Sequence, residues 1–178
     1  MRRRWMVTAL GKDRPGIVAG VTKVLYRLGC NLEDSAMTRL AGEFAILLIC
    51  SGPAKVTEES LEKACEPLSK RLGLVIHLKP LSQQEATTPR KTGTPYLISV
   101  YGADKPGIVF RVSEALAAAG INITDVETHH SARVGGRGHP SLYMMLLEVE
   151  LPARVSAVSL ERRLRRIGKR LGVEVSFR

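Results

Sequence analysis

The chain has 178 residues, 44% of them apolar, with 27 Lys and Arg against 17 Asp and Glu and a net charge of +10. That length fits one ordinary domain or two small ones, and the apolar share supports a packed core and excludes wholesale disorder. The longest apolar run, Phe44 to Cys50, is far short of a membrane span, and no small-residue cleavage site follows Met1-Arg2-Arg3-Arg4, so no export signal is read.

Taken in chain order, Trp5 to Leu10 predicts a short apolar strand. Asp13 is placed to cap a helix with Pro15 in its first turn, where the missing N–H costs nothing. Ile17, Val18, Val21, Leu25 and Leu28 form one apolar stripe, and Gly29 sits where a helix stop is wanted. Asn31 to Arg39 predicts a second strand, Leu40-Ala41-Gly42 a turn, and Glu43 to Cys50 a third strand apolar enough to be central. Thr57 can cap a second helix with Leu61, Cys65, Leu68 and Leu72 inward. Pro67 predicts a kink or short break in that helix near Glu66. Leu74 to Leu78 is the last strand of the set.

The same pattern then repeats. Residues 8–35, TALGKDRPGIVAGVTKVLYRLGCNLEDS, align without gaps with residues 99–126, SVYGADKPGIVFRVSEALAAAGINITDV, and 11 of the 28 positions are identical. Beyond that the offset grows from 91 to 99, so that Phe44-Ala45-Ile46-Leu47-Leu48 meets Tyr143-Met144-Met145-Leu146-Leu147. The second copy therefore carries eight extra residues, around Ala132 to Ser141. The stretch Lys79 to Thr94 has no apolar periodicity and reads as a connection. This gives a unit at 1–80, a linker at 81–94 and a unit at 95–178. The order β-α-β-β-α-β predicts an α+β fold of two ferredoxin-like units in tandem. The bare sheet faces and edge strands invite the two copies to pair.

Two segments recur where the first strand meets the first helix. They are Asp13-Arg14-Pro15-Gly16-Ile17-Val18 and Asp104-Lys105-Pro106-Gly107-Ile108-Val109. Asn31 with Asp34, and Asn122 with Asp125, recur where the second strand begins. Free N–H groups at a helix start suit a carboxylate, and Gly16 and Gly107 leave room for close approach. The Asn and Asp side chains offer acceptors for an ammonium group. A zwitterionic amino acid would satisfy both ends. An architectural role for the same residues is the alternative: a cap, a turn and local pairing.

With these motifs, the chain resembles the ACT-domain family of small-molecule-binding regulatory modules over both repeats. TALGKDRPGIVAGVTKVLYRLGCNLEDS and the later GEFAILLI resemble one branch of it, the glycine cleavage system transcriptional repressors. The resemblance implies a cytoplasmic, non-enzymatic regulator, acting as a homodimer or larger homo-oligomer. It implies an amino-acid ligand, with glycine among the candidates, at the seam between neighbouring domains. It also implies a protein partner such as a transcriptional activator, and neither cofactor nor membrane.

The remaining signals are weaker. Cysteines 30, 50 and 65 are an odd number without a CxxC pair, so reduced thiols are expected. His129 and His130 face opposite sides of a strand and cannot easily share a metal, and His139 matches no metal spacing. Val134-Gly135-Gly136-Arg137-Gly138 reads as a long hairpin loop. Arg162, Arg163, Arg165, Arg166, Lys169 and Arg170 fall on the outer face of the last helix, a candidate partner surface. Direct nucleic-acid binding through that helix is the alternative function, although each half carries +5 and the third strands, with one aromatic each, lack the basic-Gly-aromatic pattern of an RNA reader. An acylphosphatase-type enzyme is suggested only by Gly107-Ile108-Val109-Phe110-Arg111, and Gly20 stands where Arg111 would repeat.

Overall fold

The computed structural model describes residues 2–82, 85, 93–131 and 141–178. The chain divides into two compact units, Met1–Pro89 and Arg90–Arg178. The first contains β1 (Arg3–Lys12), α1 (Ile17–Arg27), β2 (Asn31–Leu40), β3 (Glu43–Gly52), α2 (Glu58–Leu72) and β4 (Val75–Leu81). The second contains β5 (Thr94–Ala103), α3 (Ile108–Ala118), β6 (Asn122–His130), β7 (Leu142–Leu151), α4 (Ala157–Leu171) and β8 (Val173–Phe177). Each forms an antiparallel four-stranded sheet, in the order β2-β3-β1-β4 and β6-β7-β5-β8. These are two tandem ferredoxin-like βαββαβ units of an α+β protein, with β3 and β7 inside their sheets as their apolar sequences require.

The period-2 alternation of β1 and β3 places Trp5, Val7, Ala9, Phe44, Ile46, Leu48 and Cys50 on one buried face. Ile17, Val21 and Leu25 of α1 and Leu61, Cys65 and Leu68 of α2 close over it. The second unit repeats this with Ile98, Val100, Met145 and Leu147 beneath Ile108, Val112, Leu160 and Leu164. Val18 departs from the expected stripe: it is 41% exposed, and its counterpart Val109 is 46% exposed. Both stand at the mouth of the helix rather than over the core.

Local chemistry explains the helix ends. Thr57 caps α2 as expected: its hydroxyl accepts from the Ser60 N–H, and the Ser60 hydroxyl accepts from the Thr57 N–H. Gly73 and Gly172 end α2 and α4 in the left-handed conformation. The break expected at Pro67 is absent, and α2 runs unbroken from Glu58 to Leu72. Pro67 is exposed, so the backbone acceptor deprived of its N–H can be solvated. The eight-residue insertion of the second copy, the glycine-rich segment 134–138 and His139 lie outside the described residues.

Candidate functional site

The two repeated loops have one backbone design. Gly16 precedes α1 at φ 95° and Gly107 precedes α3 at φ 94°, a left-handed turn that favours glycine. A Cβ at either position would meet nothing within 4 Å. The first helical bonds run from the Gly20 N–H to the Gly16 carbonyl and from the Arg111 N–H to the Gly107 carbonyl. No side chain caps either helix. The N–H groups of Ile17, Val18, Ile108 and Val109 thus stand at uncapped helix starts with open space beside the glycine, an arrangement that suits an anionic group.

Asp13 does not cap α1, because Gly16 turns the chain between it and the helix and α1 starts only at Ile17. Pro15 accordingly lies before the helix and not in its first turn. The Asp13 N–H donates to the Gly42 carbonyl at 2.9 Å, and its carboxylate accepts from Arg39 at 3.1 Å. Asp104 repeats the arrangement: its N–H donates to the Ser141 carbonyl at 2.9 Å and its carboxylate faces His130 at 3.4 Å. Both aspartates tie the helix-entry loop to the hairpin between the second and third strands. Arg14 and Pro15 are exposed, as is Pro106. Lys105 is occupied elsewhere, donating to the Leu171 carbonyl at the end of α4. In the first unit a cleft of about 500 Å³ opens here, lined by Asp13, Met37, Thr38, Arg39, Ala41 and Gly42.

Asn31 and Asp34 do not join this loop within their own unit. Asn31 is level with Ser51 and Arg4, and Asp34 with Ile49 and Met6. Lys12, where the loop begins, lies eight residues along β1 from Arg4, roughly 26 Å away. The second unit is alike, with Asn122 level with Glu150 and Pro95 and Asp125 with Glu148 and Leu97. The reason is topological. One helix carries the chain from one end of the sheet to the other, so residues before and after it cannot meet. A bulge does bring each Asn and Asp to one face. Three residues apart, they would alternate on a regular strand, but the register shifts between Leu32 and Asp34 and between Ile123 and Asp125. Asp34 also accepts from the Ser35 N–H at 2.8 Å.

The basic residues of α4 form a second feature. Arg162, Arg163, Arg165, Arg166, Lys169 and Arg170 are all exposed, opposite buried Leu160, Leu164 and Ile167. Arg165 pairs with Glu161 at 2.7 Å. Arg163, Arg166 and Arg170 join Arg111 of α3 around a groove of about 660 Å³, over a floor that includes Ala115, Ala118, Ile167 and Leu171. Arg111 itself pairs with Glu114 at 3.2 Å and lies 5.1 Å from the Phe110 ring centre. At the positions of Arg111 and Arg166 the first unit has Gly20 and Pro67.

The thiols are buried or half-buried. Burial pushes Cys50 up to about 12, with Cys30 and Glu33 nearby adding to the rise, and raises Cys30 and Cys65 as well. No group of three or more His, Cys, Asp or Glu side chains able to hold a metal occurs among the described residues. Among them, too, no helix is long and apolar enough to cross a membrane.

Sequence reasoning assigned no role to Arg39 and Tyr143 beside the loops, and it weighed His130 only as a metal ligand and Arg111 only as an acylphosphatase signal. Identity between the repeats was its signal, and these are positions where the repeats differ.

The chain is thus two βαββαβ units in tandem, each with a glycine-turned, uncapped helix-entry loop. The ACT-domain model matches residues 3–79 and 94–178, and the chain belongs to the ACT-domain family. It is 26% identical to the glycine cleavage system transcriptional repressor of Escherichia coli over 173 residues, 97% of this chain and 87% of that one. It is 38% identical over 72 residues, 40% of this chain and 80% of the other, to a UPF0237 protein of Methanopyrus kandleri. Among solved structures, a protein from Galdieria sulphuraria matches with a TM-score of 0.78 and 28% identity, covering 99% of this chain and 98% of that one.

Proposed function

We propose that the chain is a non-enzymatic cytoplasmic regulator that binds an amino acid, with glycine among the candidates, and thereby controls a protein partner in the transcription of amino-acid metabolism. The observation that carries this reading is the duplicated loop: an uncapped helix start beside a glycine with open space around it, twice, in an ACT-domain chain. Similarity to a glycine cleavage system transcriptional repressor over nearly the whole chain supports the regulatory role. The residues proposed to meet ligand are Asp13 to Val18 and Asp104 to Val109, with Asn31, Asp34, Asn122 and Asp125. Because loop and second strand lie at opposite ends of one sheet, a ligand touching both needs the strand start of another such unit, and we propose that a homodimer brings units together for this. Binding would then shift dimer geometry, and that shift would be read by the partner.

Calorimetry with each of the twenty amino acids, paired with light scattering of the free and loaded chain, tests this. Heat from one amino acid with a change in mass or shape is expected. Silence with all twenty refutes sensing.

The arginine groove favours a second reading, direct contact with nucleic acid. A salt-dependent gel shift separates the two, because a purely protein-directed regulator retards no DNA or RNA.

A further inference from the structure

The two units differ in a coordinated way at the end of the sheet that meets the helix-entry loop. In the first unit Asp13 pairs with the guanidinium of Arg39, and the neighbouring positions hold Leu40 and Phe44. In the second unit His130 stands for Arg39, Ser131 for Leu40 and Tyr143 for Phe44. The His130 Nδ1 lies 3.4 Å from the Asp104 carboxylate, and the His130 ring meets the Tyr143 ring edge-on at 5.3 Å. The Ser131 N–H donates to the carbonyl of Leu142, the residue before Tyr143. Asp104 and Tyr143 are thus both neighbours of His130, and Ser131 follows it in the chain.

Two of these groups are unsatisfied. Tyr143 is 4% exposed, and its hydroxyl has no hydrogen-bond partner among the described residues. The Ser131 Oγ is buried and equally without one. Among the described residues these are the two buried side-chain polar atoms left unpaired. Burial first and the Asp104 charge second raise the Tyr143 pKa, so the Asp104 charge is felt at that hydroxyl. A buried polar group without a partner destabilises a fold, and the first unit avoids the cost with Phe44 and Leu40.

We propose that the second unit alone takes a primary ammonium group at Asp104, with the hydroxyl oxygens of Tyr143 and Ser131 as its other acceptors. An ammonium carries three donors, and this end of the sheet supplies three acceptor groups, of which the two hydroxyls are unclaimed. The first unit is unsuited: Arg39 already neutralises Asp13 with a permanent cation, which would repel an ammonium, and Leu40 and Phe44 offer no oxygen. Histidine is a weaker competitor, since it carries charge only when protonated. In an amino acid the carboxylate would fall to the uncapped start of α3 in the same loop. That last point rests on the amino-acid reading above, while the ammonium site does not.

The test transplants the first unit's residues into the second. The full chain and its His130→Arg, Tyr143→Phe, Ser131→Leu and Lys23→Ala variants are titrated with the twenty amino acids and with ethylamine, by calorimetry. His130→Arg and Tyr143→Phe each weaken binding about tenfold or more, and Lys23→Ala, an exposed change on α1 of the first unit, leaves it unchanged. Since Arg, Phe and Leu already serve at the matching places in the first unit, folding of the second-unit variants is expected, and circular dichroism checks it. Amino-acid binding that ignores the second-unit variants overturns this site and leaves sensing intact. Binding of ethylamine alone, lost in His130→Arg, upholds the site and refutes amino-acid sensing. No binding of any probe overturns both, and leaves a buried water as the partner of the two hydroxyls.

Discussion

Gly16 and Gly107, 91 residues apart, hold one backbone conformation, φ 95° with ψ −4° and φ 94° with ψ −1°. The space beside each is open, so alanine there meets only the backbone penalty of the left-handed region. Gly16→Ala and Gly107→Ala are each expected to destabilise their own unit by about 1–2 kcal/mol. Asparagine, which tolerates this region better, costs less. Urea unfolding of the four variants checks the order.

Gly168 behaves in the opposite manner. It lies inside α4, where alanine would raise helix propensity by about 1 kcal/mol. Its added Cβ, however, would come 2.8 Å from the Val173 carbonyl oxygen and 2.7 Å from a Val175 methyl. Backbone cannot yield as a side chain can, and overpacking costs about 1–3 kcal/mol. Gly168→Ala is therefore expected to lower the thermal midpoint of the second unit despite the better helix former.

Cys50 predicts an alkaline loss of stability. Its thiol rises from 9.0 to about 12 on folding because burial disfavours the thiolate. Between those values the unfolded chain has released a proton that the folded chain retains, so stability falls as pH rises from about 9 to about 12. Below pH 9 both states are protonated and the effect vanishes. The second unit has Val149 at this place, and Cys50→Val is expected to flatten the decline. Urea midpoints at pH 8 and pH 10 compare the two, and thiol reagents at pH 8 should label Cys50 only after unfolding.

Arg163 and Arg166 line the groove between α3 and α4 and have no ion-pair partner among the described residues. Arg163→Glu with Arg166→Glu is expected to elute from heparin at markedly lower salt, while the thermal midpoint moves little. A midpoint that falls steeply would show that these cations stabilise the helix pair instead.

The architecture was legible because the chain states it twice. Asp13, Pro15, Gly16 and Gly29 recur with one offset, and the strands and helices follow them. The site was less legible, for physical reasons. Asp13 has the residue type and spacing of a cap, but whether it caps depends on the turn at Gly16. Asn31 and Asp34 look adjacent to the loop in sequence, and the length of α1 separates them in space. Pro67 obeys a rule about helix interiors that an exposed position relaxes. Arg39 and His130 act across a hairpin, and only tertiary structure brings them to an aspartate 26 residues earlier in each copy.

The bulges at Leu32/Asp34 and Ile123/Asp125 have a bearing on how the protein remains dispersed. β2 and β6 each form one of the two edges of their sheet and are exposed along nearly their whole length. A regular strand so placed is a template on which another chain can extend the sheet, one strand after the next. A register break near the start of each interrupts that template, so any added strand finds matching donors and acceptors over only part of its length. The irregularity that sets Asn31 and Asp34 on one face thus also makes β2 a poorer template for sheet extension, as its counterpart does for β6.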